Sequence, residues 1–386
     1  MTATPDPDLI LRVAAKGDGV TADGRHIAFS APLDRLSDDG GLIRGPHHVE
    51  PPCQHFRTCG GCSLQHLDAE SYSRFLTERV AYALEGQGLA AEILHPPQIS
   101  RPQSRIRASL RAARLGDQFK LGFSSAGSHR IVDLEQCEIM APELFALLAP
   151  LRQFLKGAAR RKHDMNIEMT LVDQGIDLLI SNYEPEGLEQ REALSAFAKN
   201  NGLARLSVDS GYGPETQWEP EPVTVTLGGT PVAFPHSAFL QPTREGQEVL
   251  IAAMREAVGE ARIVADLFAG LGTFTLALAD DQKVYAAEGA RDAIGALKLA
   301  ANHSTRQIFC EHRDILDPPR AGAREQILQL AQSDVAKICY ISCNPASFAR
   351  DAKQLCDAGY KLRQVWPVGQ FLWSTHVEIV SSFSRD

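Results

Sequence analysis

The stretch Ile263-Val264-Ala265-Asp266-Leu267 runs straight into Phe268-Ala269-Gly270-Leu271-Gly272 and then into an apolar run from Thr273. A strand that ends in closely spaced glycines and opens a helix constrains the fold more than any other feature of this chain. Glycine has no Cβ, so backbone amides in such a turn can approach a ligand closely. Val284–Glu288 reads as the next strand, with a helix following through Leu297 and Ala301, and Lys337–Ser342 as a further buried strand. Strands alternating with helices predict an α/β fold built on a mostly parallel, doubly wound sheet. Glu288, an acid at the end of the second strand, is placed to accept hydrogen bonds from ribose hydroxyls. A dinucleotide fold usually carries a third spaced glycine. Position 275 is Thr, so the turn favours S-adenosylmethionine over NAD.

The chain has 386 residues, enough for two or three domains. Residues 8–50 read as short strands separated by turns, compatible with a small β-barrel. From Ser104 to Leu134 apolar residues alternate with Arg105, Arg107 and Arg111, which predicts antiparallel strands with one basic face. A helix is expected over Pro142–Ala158, from the spacing of Leu144, Leu147, Leu148, Leu151 and Leu155. Further strands are expected at Ile167–Val172, Ile176–Ser181, Leu203–Val208 and Val223–Leu227, with a helix near 188–199. The expected division is 1–50, a shortened barrel; 51–235, an α+β domain; and 236–386, the nucleotide-binding domain.

No apolar run approaches the ~20 residues that cross a bilayer, and the N-terminus has neither a basic nor an apolar signal region. A cytoplasmic location without membrane contact is therefore expected, and nothing points to a protein partner. The net charge of −9 argues mildly against nucleic acid. Its distribution argues the other way. Six Arg and one Lys lie between Arg101 and Arg130 against the single acid Asp117, and a second cluster runs Arg152, Lys156, Arg160, Arg161, Lys162. Two basic clusters on an acidic chain favour RNA as partner.

The eight cysteines fall into two groups. In a cytoplasmic chain they are expected as thiols or ligands rather than disulfides. Cys53-x5-Cys59-x2-Cys62 puts three on one short loop, with Cys137 available as a fourth. Four thiolates suit zinc or an iron–sulfur cluster, and a three-plus-one arrangement favours the cubane. Cys343 follows a buried strand and precedes Pro345, which suits the start of a helix. A helix N-terminus favours negative charge, and a thiolate is a strong nucleophile. Glu378 stands among Val377, Ile379 and Val380, where an acid needs a reason, and is the candidate base. His376 beside it reads as a pocket wall or an exposed strand residue. Asp317-Pro318-Pro319-Arg320 reads as a stiff loop able to hold a carboxylate against a flat base.

Taken in order, Leu267–Gly272, Asp317–Gly322, Ser342-Cys343-Asn344-Pro345 and His376-Val377-Glu378 resemble the motifs of the RNA 5-methyluridine (uracil-C5) methyltransferase family. The resemblance covers residues 50–386. It implies a C-terminal Rossmann-like class I methyltransferase domain, a central RNA-binding α+β domain and a shortened TRAM/OB-like barrel. It further implies that Gln241, Phe268, Glu288 and Asp317 line the S-adenosylmethionine site, with Asp314 as a further adenosine-site acid. Cys343 is implied as the nucleophile at carbon 6 of uracil and Glu378 as acceptor of the carbon 5 proton. The ribosomal-RNA branch carries the cysteine pattern, which implies a [4Fe-4S] cluster on Cys53, Cys59, Cys62 and Cys137 and makes 23S rRNA a better substrate than tRNA.

The chain departs from the family before Asp317. Glu311–Leu316 is all that stands where a strand of several apolar residues normally leads in. A catalytically weakened RNA-binding protein of the same fold is therefore the rival expectation. A third reading, an amine-directed base methyltransferase, would not need Cys343 and usually has an aromatic residue where Arg320 stands.

Overall fold

The computed structural model describes residues 6–116, 118–158, 164–313 and 323–385. Asp314 and Asp317, with their proline loop, and Arg160, Arg161 and Lys162 lie outside the described residues. The chain forms two compact units, neither continuous in sequence: Met1–Arg101 with Ala252–Val258 and Asp317–Asp386, and Pro102–Ile251 with Gly259–Leu316.

The first unit begins with a three-stranded antiparallel sheet of Ile10–Val13, Gly19–Thr21 and His26–Ile27, followed by the hairpin Arg35–Leu36/Leu42–Ile43. Asp34 organises these short strands. Its buried carboxylate accepts from the amides of Ala31 (2.8 Å) and Gly45 (2.7 Å) and pairs with His48 Nδ1 (2.7 Å). The helix Ala69–Glu85 starts where Asp68 accepts from the Ser71 amide at 2.8 Å, an N-cap. Tyr72, Phe75, Leu76, Val80 and Leu84 recur at helical spacing and are all buried. They join one core with Phe348, Leu355, Val365, Val377, Ile379 and Phe383.

The sheet of this unit runs Lys337–Ser342, Glu378–Ser384, Lys361–Gly369, Ile93–Leu94, with Gln98–Ile99 beside the third strand. The second of these is antiparallel to both of its neighbours. The helices Arg324–Ala331 and Pro345–Asp357 contribute Ile327, Phe348 and Leu355 to the same core.

The second unit holds two layers of different character. A six-stranded sheet runs Glu215–Trp218, Leu203–Asp209, Gly175–Ser181, Asp164–Val172, Arg107–Leu115, Gln118–Gly122. It is antiparallel except where the helix Gly187–Asn200 carries the chain across to a parallel neighbour. The helix Pro142–Ala158 begins and ends where the leucine spacing predicts. The basic face is only partly free. Arg111 pairs with Asp164 and Arg152 with Asp133, and Arg107 donates to the Leu240 carbonyl at 2.9 Å.

The other layer is the parallel sheet Ile263–Leu267, Lys283–Glu288, Ile308–His312, with the helices Thr273–Leu278 and Arg291–Asn302 after its first two strands. Ala286, Leu276, Ile294 and Leu297 are buried together, and Val284 is fully buried. On the opposite face Ile263, Leu267, Tyr285 and Phe309 are exposed. The sequence predicts one mostly parallel, doubly wound sheet. Among the described residues the parallel strands and the C-terminal antiparallel strands form separate sheets. The segment leading to Asp317 after the strand Ile308–His312 lies largely outside the described residues, and the helix Arg324–Ala331 stands between it and the strand Lys337–Ser342.

Asp177 and Arg205 form a buried ion pair. Arg205 grips both carboxylate oxygens (2.8 and 2.9 Å) and donates to the Phe234 carbonyl (3.0 Å), with the two side chains 5% and 8% exposed. Replacing Arg205 by Met leaves a buried carboxylate uncompensated. It should lower urea stability by about 3–5 kcal/mol, and replacing Asp177 by Leu in the same chain should restore most of that loss.

Candidate active site

Cys343 owes its place to three local choices. The strand Lys337–Ser342 ends one residue before it, and the helix Pro345–Asp357 begins two residues after. Asn344 caps that helix, its side chain accepting from the Ala346 amide at 3.0 Å, and Pro345 supplies a pre-set φ at the first helical position. Ser342 closes the turn: its hydroxyl lies 3.3 Å from both the Asn344 amide and carbonyl, and Ser347 Oγ donates to the same carbonyl at 3.1 Å. The half-buried thiol of Cys343 thus stands at the positive end of a helix dipole.

Glu378 reaches the same place from the other end of the chain. The antiparallel ladder between Lys337–Ser342 and Glu378–Ser384 closes on the pair Ser342↔Ile379. Cys343 follows Ser342 and Glu378 precedes Ile379, so both stand just beyond this last pair, at the same end of the ladder. Val377 and Ile379 are fully buried on either side. Burial pushes the Glu378 carboxyl up to about 7, and a hydrogen bond from the Gln370 side chain pulls the other way. A carboxyl that titrates near neutrality is suited to take and return a proton. His376 is exposed, with its ring 5.5 Å from that of Phe371. Gln370 escaped the sequence reading because its polarity shows nothing until the strand register brings it to Glu378.

The glycine-rich turn has the predicted strand and helix on either side. Gly272 stands at φ +90°, and a Cβ there would come within 2.4 Å of Leu297 Cδ1, so glycine is required. Phe268 is half-buried and also left-handed, at φ +64°. Glu288 fastens the turn: one oxygen accepts from the Gly270 amide (2.8 Å) and the other from the Ala290 amide (2.7 Å). An ionised carboxylate has about four acceptor sites, so two sites remain for ribose hydroxyls. Asp266 accepts from Thr275 Oγ1 at 2.5 Å, and desolvation pushes its carboxyl up to about 6. The Asp266–Thr275 contact explains the residue that interrupts the glycine spacing. Gln241 is half-buried in the segment before the helix Arg244–Val258. Asp317 lies outside the described residues.

The cysteine loop and Cys137 fall in different units. Cys53, Cys59 and Cys62 are half-buried, as is Cys137, which packs against the core of the six-stranded sheet. The Cys53 amide donates to Gln65 Oε1 (3.2 Å), and the Gly61 amide donates to Cys59 Sγ (3.4 Å). An amide directed at sulfur favours a thiolate and is the kind of contact that tunes cluster sulfurs. Among the described residues no three His, Cys, Asp or Glu side chains converge as a metal site.

Comparison with known proteins identifies the family. The family described as tRNA (Uracil-5-)-methyltransferase matches residues 304–385. An uncharacterized RNA methyltransferase of Zymomonas mobilis is 50% identical, over 97% of this chain and 99% of its own length. The 23S rRNA (uracil(1939)-C(5))-methyltransferase of Halomonas elongata is 31% identical, over 86% of this chain and 75% of its own. Among solved structures, the Pyrococcus abyssi tRNA (uracil-54, C5)-methyltransferase, crystallised with S-adenosyl-L-homocysteine, superposes with a TM-score of 0.76. It covers 97% of this chain and 98% of its own at 21% identity, a likeness of fold. The chain belongs to the RNA uracil-C5 methyltransferase family and has its α/β methyltransferase fold.

Proposed function

We propose that this protein methylates carbon 5 of a uracil in RNA, with S-adenosylmethionine as methyl donor and 23S rRNA as the favoured substrate over tRNA. The observation that carries the reading is the ladder ending at Ser342↔Ile379, which puts a thiol and a neutral-range carboxyl at one end of adjacent strands. Carbon 5 of uracil is too weak a nucleophile to take a methyl group unaided. The Cys343 thiolate adds to carbon 6, and the ring becomes an enolate with carbanion character at carbon 5. S-adenosylmethionine supplies the methyl group to that carbon. Glu378 then accepts the carbon 5 proton, the carbon 5–carbon 6 double bond re-forms, and the carbon–sulfur bond breaks to release the thiolate.

Glu288, Phe268 and Gln241, together with Asp317, form the proposed S-adenosylmethionine site. The two unfilled acceptor sites on Glu288 support it. Cys53, Cys59, Cys62 and Cys137 form the proposed ligand set of a [4Fe-4S] cluster. Four half-buried thiols outside any disulfide fit that donor chemistry. Its role is to hold loop and chain together for RNA, and no chemical step passes through it. The proposed division remains a shortened barrel over 1–50, an iron–sulfur and RNA-binding region over 51–235 and the methyltransferase domain over 236–386. No helix among the described residues is long and apolar enough to cross a membrane, and the cytoplasm is the proposed location. A second reading, an RNA-binding protein of this fold with weakened catalysis, draws support from the short connection between His312 and Arg324.

With labelled S-adenosylmethionine and 23S rRNA, wild type should produce 5-methyluridine and Cys343→Ala none. Methyladenine would point to amine chemistry, and no product from either would favour the weakened protein. The proton acceptor must be ionised, so the turnover rate should rise with pH through a midpoint near 7. Gln370→Leu removes a contact that lowers this pKa, so a stopped-flow or quench pH profile should move to higher pH. The purified protein should be brown, with iron and sulfide by chemical analysis. A colourless sample carrying zinc would refute the cluster.

A further inference from the structure

The loop between Gln370 and Glu378 is fastened by hydrogen bonds from several elements. Trp373 sits at its centre in the left-handed region, φ +56°, a conformation that a non-glycine residue keeps only where its surroundings over-determine it. They do so here. The Ser63 and Leu64 amides, next to Cys62, both donate to the Trp373 carbonyl at 2.9 Å. The Tyr72 hydroxyl, from the helix Ala69–Glu85, reaches the Phe371 and Ser374 carbonyls at 3.3 and 3.4 Å. Ser374 Oγ donates to the Phe371 carbonyl at 2.7 Å, and the His376 amide donates to Ser374 Oγ at 3.2 Å. The N-terminal turn closes the junction: a Cβ at Gly17, which has φ +97°, would meet Leu64 at 3.3 Å and Thr375 at 3.4 Å.

We infer that Tyr72 is a positioning residue for Glu378, acting with the cysteine loop to hold the Phe371–His376 segment so that Gln370 and Glu378 keep their mutual placement. The inference rests on the proposed role of Glu378 as proton acceptor. Tyr72 is buried at 2% exposure, and burial raises its phenol well above the usual range, so it remains a neutral donor at any working pH. It touches no reacting atom. Its one hydroxyl proton is shared between the carbonyls of Phe371 and Ser374, while Gln370 and Glu378 sit at the loop's two ends. The same loop is tied to the residues directly after Cys62. Order in the cysteine loop and placement of the base are therefore one mechanical property.

A displaced base slows one step only. Addition of the thiol and methyl transfer do not require Glu378, whereas loss of the carbon 5 proton does. The methylated adduct between Cys343 and RNA therefore accumulates when the base is out of place. The experiment uses the full-length protein, unmodified 23S rRNA and methyl-labelled S-adenosylmethionine, and measures label held on protein in a denaturing gel against 5-methyluridine released. Tyr72→Phe should release product roughly tenfold more slowly, within what a ~1 Å misplacement produces. Labelled adduct should rise several-fold, and KM for RNA should stay at the wild-type value. Ser374→Ala, which removes a separate brace of the same loop, should move both readouts in the same direction. A Tyr72→Phe protein with wild-type release and adduct overturns the inference. So does loss of adduct and product together, with a lowered melting temperature, in both variants, since that marks a purely structural role. If wild type itself forms no 5-methyluridine, the reading of Glu378 fails first, and the inference falls with it.

Discussion

Everything at the candidate centre depends on the antiparallel pairing of Lys337–Ser342 with Glu378–Ser384. The side-chain period of a strand is two, so a slip of one residue would turn Glu378 to the other face of the sheet. The register is fixed by burial. Val377, Ile379, Val380 and Phe383 are at most 1% exposed, and Ile338 and Phe383 belong to the same core as the helix Pro345–Asp357. The apolar residues therefore hold the acid in place. The helix that follows Cys343 sets the second coordinate, through the Asn344 cap and Pro345. The proposed nucleophile and base thus come from one ladder and one helix start, with little freedom left to either.

Much of this was legible from the residues because the signals are local. The leucine spacing over Pro142–Ala158 set both ends of that helix, and the strand–glycine–helix order at Ile263–Gly272 is the order found. Cys343 was legible from its position between an apolar strand and a proline. What escaped is non-local. The sequence shows Gln370 and Tyr72 as ordinary polar and aromatic residues. Their importance arises only when a strand register and a helix packing bring them to a loop at the far end of the chain. The antiparallel C-terminal strands were also missed, because apolar alternation does not state strand direction. The basic face was read from Arg spacing alone, and the carboxylates of Asp164 and Asp133, which pair with Arg111 and Arg152, were not counted against it.

A parallel sheet is normally covered on both faces. Here Tyr285 and Phe309 stack 5.0 Å apart on an exposed face, with Lys283 Nζ 5.0 and 4.8 Å from the two ring centres. The first unit, which carries Cys343 and Glu378, keeps a complete core of its own.

The central claim is that Cys343 forms a bond to the pyrimidine ring, and the most direct test is to locate that bond. RNA containing 5-fluorouridine has no carbon 5 proton to lose, so an attacking thiol stays attached after methyl transfer. The protein should be incubated with such RNA and S-adenosylmethionine, digested, and the nucleotide-bearing peptide sequenced by mass spectrometry. The account predicts a methylated fluorouridine on the peptide containing Ser342-Cys343-Asn344-Pro345. A nucleotide carried by another cysteine, or methylated RNA with no covalent adduct, would contradict it.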